Sequence, residues 1–462
     1  MKNKNQTVFY NILSTIILQG VAFFTTPLFS RLLGTENYGI VSVYTAWVQV
    51  ISITFGLQTM VTIPIAQNEY STEKQETYQS SVLLMSVVSF MTLGGIALLL
   101  PESLWMQVKL SRFMLLLIIL QAFGTFCVNF LNMKQIYEWN AGRNFALAMT
   151  TTFSTVILAF ILVHRMSSKD NYWGYLIGYA VPYFVLAVLI CIYILRNGKR
   201  GEWFKYWKFC IVISFPVILH GLSNILLSQS DRIMLQQLLD NSITGVYSLA
   251  LTFGSVLAAI YSALNNSWVP FFYQYMGEER YDRLKHHEKN YLELFTVLTI
   301  GFMLLSTEVY QIFAGREYWD GIRYLPIIAM SNYFTFLYSF PVNYEFCKKR
   351  TSIVAIGTVL SACCNIFLNL ILIRHVGAIG AAIATLVSHI LLFVFHHLLS
   401  FYVINKGDYP FRFREFLPYL LSVLCAVTVV YVIADYSILR FMIAMILGLM
   451  ELGRIIQRKS IF

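Results

Sequence analysis

The stretch Leu219–Tyr275, LHGLSNILLSQSDRIMLQQLLDNSITGVYSLALTFGSVLAAIYSALNNSWVPFFYQY, decides the fold class. An apolar run that begins near Phe209 continues to about Leu239, and Asp231-Arg232 interrupts it. At 1.5 Å rise per residue the pair lies roughly 12 Å inside the apparent helix end. A charge at that depth costs on the order of 3 kcal/mol in a bilayer, so the pair is expected to face a partner or a wet cavity. An ion pair that snorkels to the helix end is the alternative.

The rest of the chain has the same character. Its 462 residues are 58 % hydrophobic and 12 % charged, with a mean hydropathy of +0.65. Soluble domains carry about twice that charge, so the composition predicts an all-α polytopic membrane protein. The net charge of +10 does not imply nucleic-acid binding, because the basic residues sit in short joining segments between apolar runs. The seven cysteines show no metal-ligand spacing and are read as reduced packing residues. The first apolar segment lacks a convincing cleavage site and is read as a retained helix.

About fourteen membrane spans are predicted, at 8–33, 38–65, 78–100, 110–132, 143–164, 172–195, 209–239, 243–270, 290–314, 322–346, 351–373, 377–404, 415–434 and 437–455. An even number places both termini on one side. Roughly 23 of the 33 Lys and Arg residues fall on that side, which is therefore expected to be cytoplasmic.

The sequence also repeats. At a shift of roughly 206 positions Gly39 meets Gly245, Pro64 meets Pro270, Gly95 meets Gly301 and Glu102 meets Glu308. With a small gap, Asn132 meets Asn343. The expected architecture is two parallel six-helix repeats, 1–200 and 201–408, followed by two extra helices in 409–462. Two like bundles with a site between them can expose it to either side in turn. Pro27 and Pro216 can each bend a helix, or are ordinary membrane prolines.

Candidate binding residues follow from helical spacing. His220, Asn224, Ser228 and Asp231 share one face of span 7, and Asn11, Thr15 and Gln19 share one face of span 1. Both stripes are expected to line a cavity, with helix–helix hydrogen bonding as the alternative. Trp268 is expected to be an interfacial anchor, and Glu102 and Glu308 interfacial carboxylates. His389, His396 and His397 are read as packing or lipid-interface residues without carboxylate support, and no metal site is expected. Gly377–Ala382 offers a small-residue face for close packing. No nucleotide-binding, metalloprotease or hydrolase motif is present, so an enzyme is not expected.

Three blocks carry a resemblance. SRLLGTENYGIVSVYTAW (Ser30–Trp47), SNILLSQSDRIMLQQLLDNSITGVYSLA (Ser223–Ala250) with NNSWVPFFY (Asn265–Tyr273), and the segment Lys348–Ser388 resemble bacterial polysaccharide-export flippases. These belong to the multidrug/oligosaccharidyl-lipid/polysaccharide exporter superfamily. The resemblance implies a fold of MATE-like bundles in the cytoplasmic (inner) membrane. It implies transport of undecaprenyl-diphosphate-linked oligosaccharide from the cytoplasmic to the outer leaflet, for O-antigen, capsule or exopolysaccharide assembly. Many members have twelve spans, and the extra pair is similar to the fourteen-span lipid II flippase. A diphosphate head group needs cations, for which Arg232 is the deep candidate and Arg31 a second one near the outer end of span 1. Asp231, Asn224, His220 and Gln19 complete the expected binding set. No cofactor is expected, and proton or sodium coupling is left open. A polysaccharide polymerase and a chain-length regulator are candidate partners. An ion-coupled drug or metabolite antiporter of the same superfamily, or a membrane glycan polymerase, are the rival readings.

Overall fold

The computed structural model describes residues 4–138, 140–198, 203–405 and 409–458, with side chains except at 4–20, 22, 72, 73 and 141. Among these residues the chain is helical throughout and holds no strand. By its internal contacts it forms two compact units, Met1–Gly245 and Val246–Phe462. The expected domain limits at 200 and 408 lie outside the described residues.

The first unit contains α1 (Lys4–Gly56), α2 (Ile63–Glu69), α3 (Thr72–Leu99), α4 (Glu102–Gln107), α5 (Arg112–Tyr137), α6 (Ala141–Arg165), α7 (Asn171–Asn197) and α8 (Trp203–Leu238). It ends in the first turn of α9 (Asn241–Gly277). The second unit continues with α9, then α10 (Tyr281–Phe313), α11 (Leu325–Cys347), α12 (Thr351–Val376), α13 (Ala378–Leu399), α14 (Phe413–Val432) and α15 (Ser437–Arg458). α1 is two helices joined at Gly34, whose φ of 71° only glycine adopts without strain. Counting both, the long helices match the fourteen expected spans. Eleven of the described helices are long and apolar enough to cross a membrane on composition alone. α11 and α15 fall outside that set; each carries charged residues that the structure pairs inside unit 2, Glu345 on α11 and Arg440 and Glu451 on α15.

The second span departs from expectation. It was expected to run to residue 65, but the helix ends at Gly56, and Leu57 and Gln58 have φ of 54° and 48°. A 3-10 turn at Thr59–Thr62 and α2 follow. A broken helix at membrane depth frees backbone groups that must bond within the protein. Ser86 of α3 donates to the Gly56 carbonyl at 3.1 Å and is 2.8 Å from the Thr59 hydroxyl. Tyr78 of the same helix donates to Thr62 at 2.7 Å.

Close backbone approach holds the helices together. Within unit 1, a Cβ on Gly124 would sit 2.5 Å from the Tyr183 backbone, and one on Gly178 would sit 2.3 Å from Ala159 Cα. The repeat recurs in this packing. A Cβ on Gly174 would meet the Leu162 carbonyl carbon at 2.7 Å, and one on Gly380 in unit 2 would meet that of Leu372 at 2.5 Å. The repeat-matched pair Gly39 and Gly245 touch each other reciprocally: a Cβ on Gly39 would lie 1.9 Å from the Asn241 oxygen, one on Gly245 2.0 Å from the Thr35 oxygen. Thr35 and Ser242 share a 2.6 Å hydroxyl contact beside them.

Unit 2 is organised around aromatic rings instead. Trp268 of α9 is fully buried between Tyr291 and Phe340, with Phe272, Phe336, Phe411 and Phe416 in the same core. The expectation of an interfacial anchor at Trp268 is thereby corrected. Glu308 also differs from expectation: Arg440 of α15, itself buried, reaches across to its carboxylate. At the other end of α15, Arg458 lies 2.5 Å from Glu293 of α10. Glu102, in contrast, is exposed as expected.

The glycine contact makes a stability prediction. Gly39→Ala forces backbone to move and is expected to destabilise purified protein by about 1–3 kcal/mol. Gly95→Ala, with nothing within 4 Å of the new methyl, is expected to be neutral or slightly stabilising. Thermal unfolding of the two variants in the same detergent checks the contrast.

Candidate functional site

α8 presents a face that changes character along its length. Asp231 is buried with 1 % exposure, whereas Ser228 and Asn224 are exposed and His220 is half-buried. The intervening Ser223, Leu227 and Ser230 face inward and are buried. Thus the spacing that predicted one polar stripe is realised as a helix with a buried seam and an exposed polar edge. His220 Nε2 and Asn224 Nδ2 are 3.1 Å apart, the i,i+4 distance expected on one face.

The other expected residues are placed as follows. Arg232, next to Asp231 in sequence, is half-buried; with adjacent residues about 100° apart on a helix it projects to the side of Asp231. Arg31 is exposed on the first half of α1, just before the Gly34 break. The side chains of Gln19, Asn11 and Thr15 lie outside the described residues. The structure therefore joins His220 to Asn224 directly and puts Asp231 and Arg232 on the same helix, within the unit that also holds Arg31.

Gln58 was not anticipated. It is held in the left-handed region at the end of the broken span, a conformation costing a non-glycine residue about 1–3 kcal/mol. Its side chain is buried, and its Nε2 would be 2.9 Å from a Cβ on Gly221, the neighbour of His220. A side chain at 221 would push Gln58 away, so the glycine lets the break pack directly on α8. Lys109, also unmentioned by the sequence reading, bonds the Gln236 carbonyl near the end of α8. Gln236 in turn donates to Asn241 at 2.9 Å.

A separate cavity of about 600 Å³ opens between α3, α5 and α7, lined by Phe90, Phe123, Val188 and Ile192 with Arg196 at one side. Its walls are apolar and suit a hydrocarbon chain rather than sugar hydroxyls.

Of the unit 2 histidines, His396 has a carboxylate partner that the sequence did not lead one to expect. His396 is not a lipid-interface residue: its Nδ1 lies 2.8 Å from Glu345, and both groups are fully buried. His389 pairs with Ser331 at 2.6 Å and His397 with Tyr409 at 3.1 Å. The carboxylate on Glu345 escaped the sequence reading because the partners come from different helices.

Residues 5–276 match the family described as polysaccharide biosynthesis protein, and the chain belongs to that family. It is 22 % identical over 409 residues to a probable low-salt glycan biosynthesis flippase of Haloferax volcanii, covering 86 % of this chain and 84 % of that protein. An uncharacterized membrane protein of Haemophilus influenzae is 23 % identical over 378 residues, 80 % of this chain and 88 % of that one. Among solved structures, the lipid II flippase in an inward closed conformation superposes with TM-score 0.69 at 18 % identity, covering 98 % of this chain and 99 % of that one. An inward-facing multidrug transporter of the MATE family gives 0.65 at 14 % identity over 84 % of this chain and 96 % of that chain. These likenesses show that the chain shares the fold of those two transporters.

The exposed edge of α8 is testable as a wet surface. In a cysteine-free background, Asn224→Cys and Ser228→Cys are expected to react with a membrane-impermeant maleimide in purified protein. Ser223→Cys and Ser230→Cys, on the buried seam, are expected to react at least about tenfold more slowly, as inaccessible thiols do. Equal rates at all four positions would place the edge in lipid.

Proposed function

We propose that the protein is a transporter, not an enzyme, and that it flips a glycan carried on a polyprenyl diphosphate from the cytoplasmic to the outer leaflet. The observation that carries this reading is the polar edge of α8, exposed at Asn224 and Ser228 and followed by buried Asp231 and half-buried Arg232, within a chain of the polysaccharide biosynthesis family. Exposed amide, hydroxyl and imidazole groups suit sugar hydroxyls, and a guanidinium grips a diphosphate with its planar fork. The glycan biosynthesis flippase of Haloferax volcanii is a relative over most of both chains, which supports the same cargo class. Alternating access, with the undecaprenyl tail remaining in lipid, follows from the duplicated sequence repeat. An inner-membrane location with cytoplasmic termini, service to O-antigen, capsule or exopolysaccharide assembly, and association with a polymerase and chain-length regulator extend the same reading.

Arg232→Ala is expected to keep wild-type membrane level and thermal stability but to lose most transport, measured as leaflet-resolved lipid-linked glycan in a deletion strain. Arg232→Lys is expected to restore only part of it. Undiminished transport in Arg232→Ala would remove the head-group role.

Orientation is tested separately. Ser167 and Asn197 are both exposed at opposite ends of the α6–α7 hairpin. A cysteine at Ser167 is expected to label from outside intact cells and one at Asn197 only after permeabilisation; the reverse pattern would invert the topology.

A further inference from the structure

Unit 2 contains a buried polar cluster that a glycan-binding role does not use. Glu345, near the end of α11, and His396, near the end of α13, are both fully buried. The imidazole Nδ1 lies 2.9 and 2.8 Å from the two carboxylate oxygens. Ser400 opens a π-helical turn, Ser400–Ile404, and donates its hydroxyl to Glu345 Oε1 at 3.1 Å. Such widened turns recur at functional positions, and here the turn brings Ser400 onto the carboxylate.

The other side of the imidazole faces glycine. His396 Nε2 is buried and has no hydrogen-bond partner. It occupies the space that a side chain at Gly357 of α12 would need, since a Cβ there would lie 2.1 Å from it. A purely structural pair would be expected to satisfy both ring nitrogens, because a buried unpaired polar atom is costly. A ring that alternates between N–H and bare nitrogen at this atom cannot be satisfied in both states by one fixed neighbour.

The charges lead the same way. With the imidazole neutral, Nδ1–H facing the carboxylate leaves a buried anion; one added proton makes the site neutral. Among the described residues no lysine or arginine stands within ion-pair distance of Glu345, so a proton is the available counter-charge. Other ionisable groups surround the pair. Tyr338 of α11 stands edge-on to the His396 ring with centroids 5.0 Å apart, and α12 contributes Gly357. Tyr409, from the connection after the π turn, interacts with Glu345, Glu288 of α10, Tyr344 of α11 and Glu415 of α14. Burial pushes the Tyr409 hydroxyl well above its ordinary range, so it stays a neutral donor and its partner His397 completes that side.

We propose that Glu345, His396 and Ser400 form a proton-binding site inside unit 2, taking one proton from water and returning it as the cluster alternately closes and opens. No other bond is made or broken. The site stands on its own geometry and does not depend on what cargo is carried.

Nuclear magnetic resonance of the full-length protein, labelled with 15N-histidine and reconstituted in liposomes, tests this. The His396 resonances are identified by their loss in His396→Gln. If that variant fails to accumulate, they are identified in wild type by dipolar coupling to a glutamate carboxyl carbon. Both ring nitrogens are expected to change together, in a single transition, between imidazolium and neutral positions as the pH is raised across the range in which the protein stays folded. Glu345→Gln, which removes the anion, is expected to lower that midpoint by about one pH unit or more, a tenfold loss in proton affinity. Ser400→Ala is expected to raise it, because the carboxylate loses a donor that stabilises its charge. His397→Gln is expected to leave it in place. His396 nitrogens that stay unchanged across the range, or a midpoint identical in Glu345→Gln, would overturn the proposal and leave a structural pair. Either result is independent of whether Arg232→Ala transports glycan.

Discussion

Inside a bilayer no water is available to a free polar group, so each N–H, carbonyl and charge must find its partner within the protein. That constraint explains why threonines and serines here bond back to their own helices, as Thr45 does to Val41 at 2.9 Å and Thr252 to Ser248 at 2.9 Å. It explains why the broken second span is surrounded by Ser86, Thr59, Thr62 and Tyr78. It also gives meaning to the exceptions. Asn224 and Ser228 bond within α8, to His220 at 3.1 Å and to the Ile225 carbonyl at 3.2 Å, yet both stay exposed on a helix whose opposite seam is buried.

Apolar surface does not drive helices together in lipid, so close packing has to supply the attraction. The two units meet this demand differently. Unit 1 relies on glycines whose missing side chains let backbones touch, at Gly124, Gly174 and Gly178. Unit 2 has such a contact at Gly380 and interlocks rings around Trp268. Aromatic pairs add roughly 0.5–1.5 kcal/mol each beyond area.

The helical spans and the small-residue face around Gly380 were legible in the sequence because they depend on run length and local spacing. The Gly39–Gly245 match found by shifting the sequence turned out to be a physical contact, since residues matched by a repeat can pack across its local symmetry. What was not legible required knowledge of neighbouring helices. Glu308 read as an interfacial carboxylate until Arg440 was brought beside it from α15. His396 read as packing until α11 supplied Glu345. The end of the second span at Gly56 was misjudged because Leu57 and Gln58 are residue types that seldom take positive φ. The polar stripe on α8 was legible as spacing, but which of its members face inward was not.

The duplication has also diverged where charge is concerned. The gap that aligns Asn132 with Asn343 aligns Lys134 with Glu345, so each repeat buries one ionisable group at the same register of its corresponding helix. Their surroundings differ. Lys134 donates to Gln79 at 2.5 Å and pairs with Glu138 on its own helix at 2.6 Å, and Glu138 is 32 % exposed. That pair keeps one foot in solvent, where its charge is screened and its geometry follows a single helix. Glu345 is bound across two helices with no exposure on either side, so any change in its charge must be absorbed by α11 and α13 together. A charge change at the first position is therefore local, whereas one at the second acts on the packing between helices. Gain or loss of a proton at the second position would therefore reach the contact between α11 and α13, which at the first it would not.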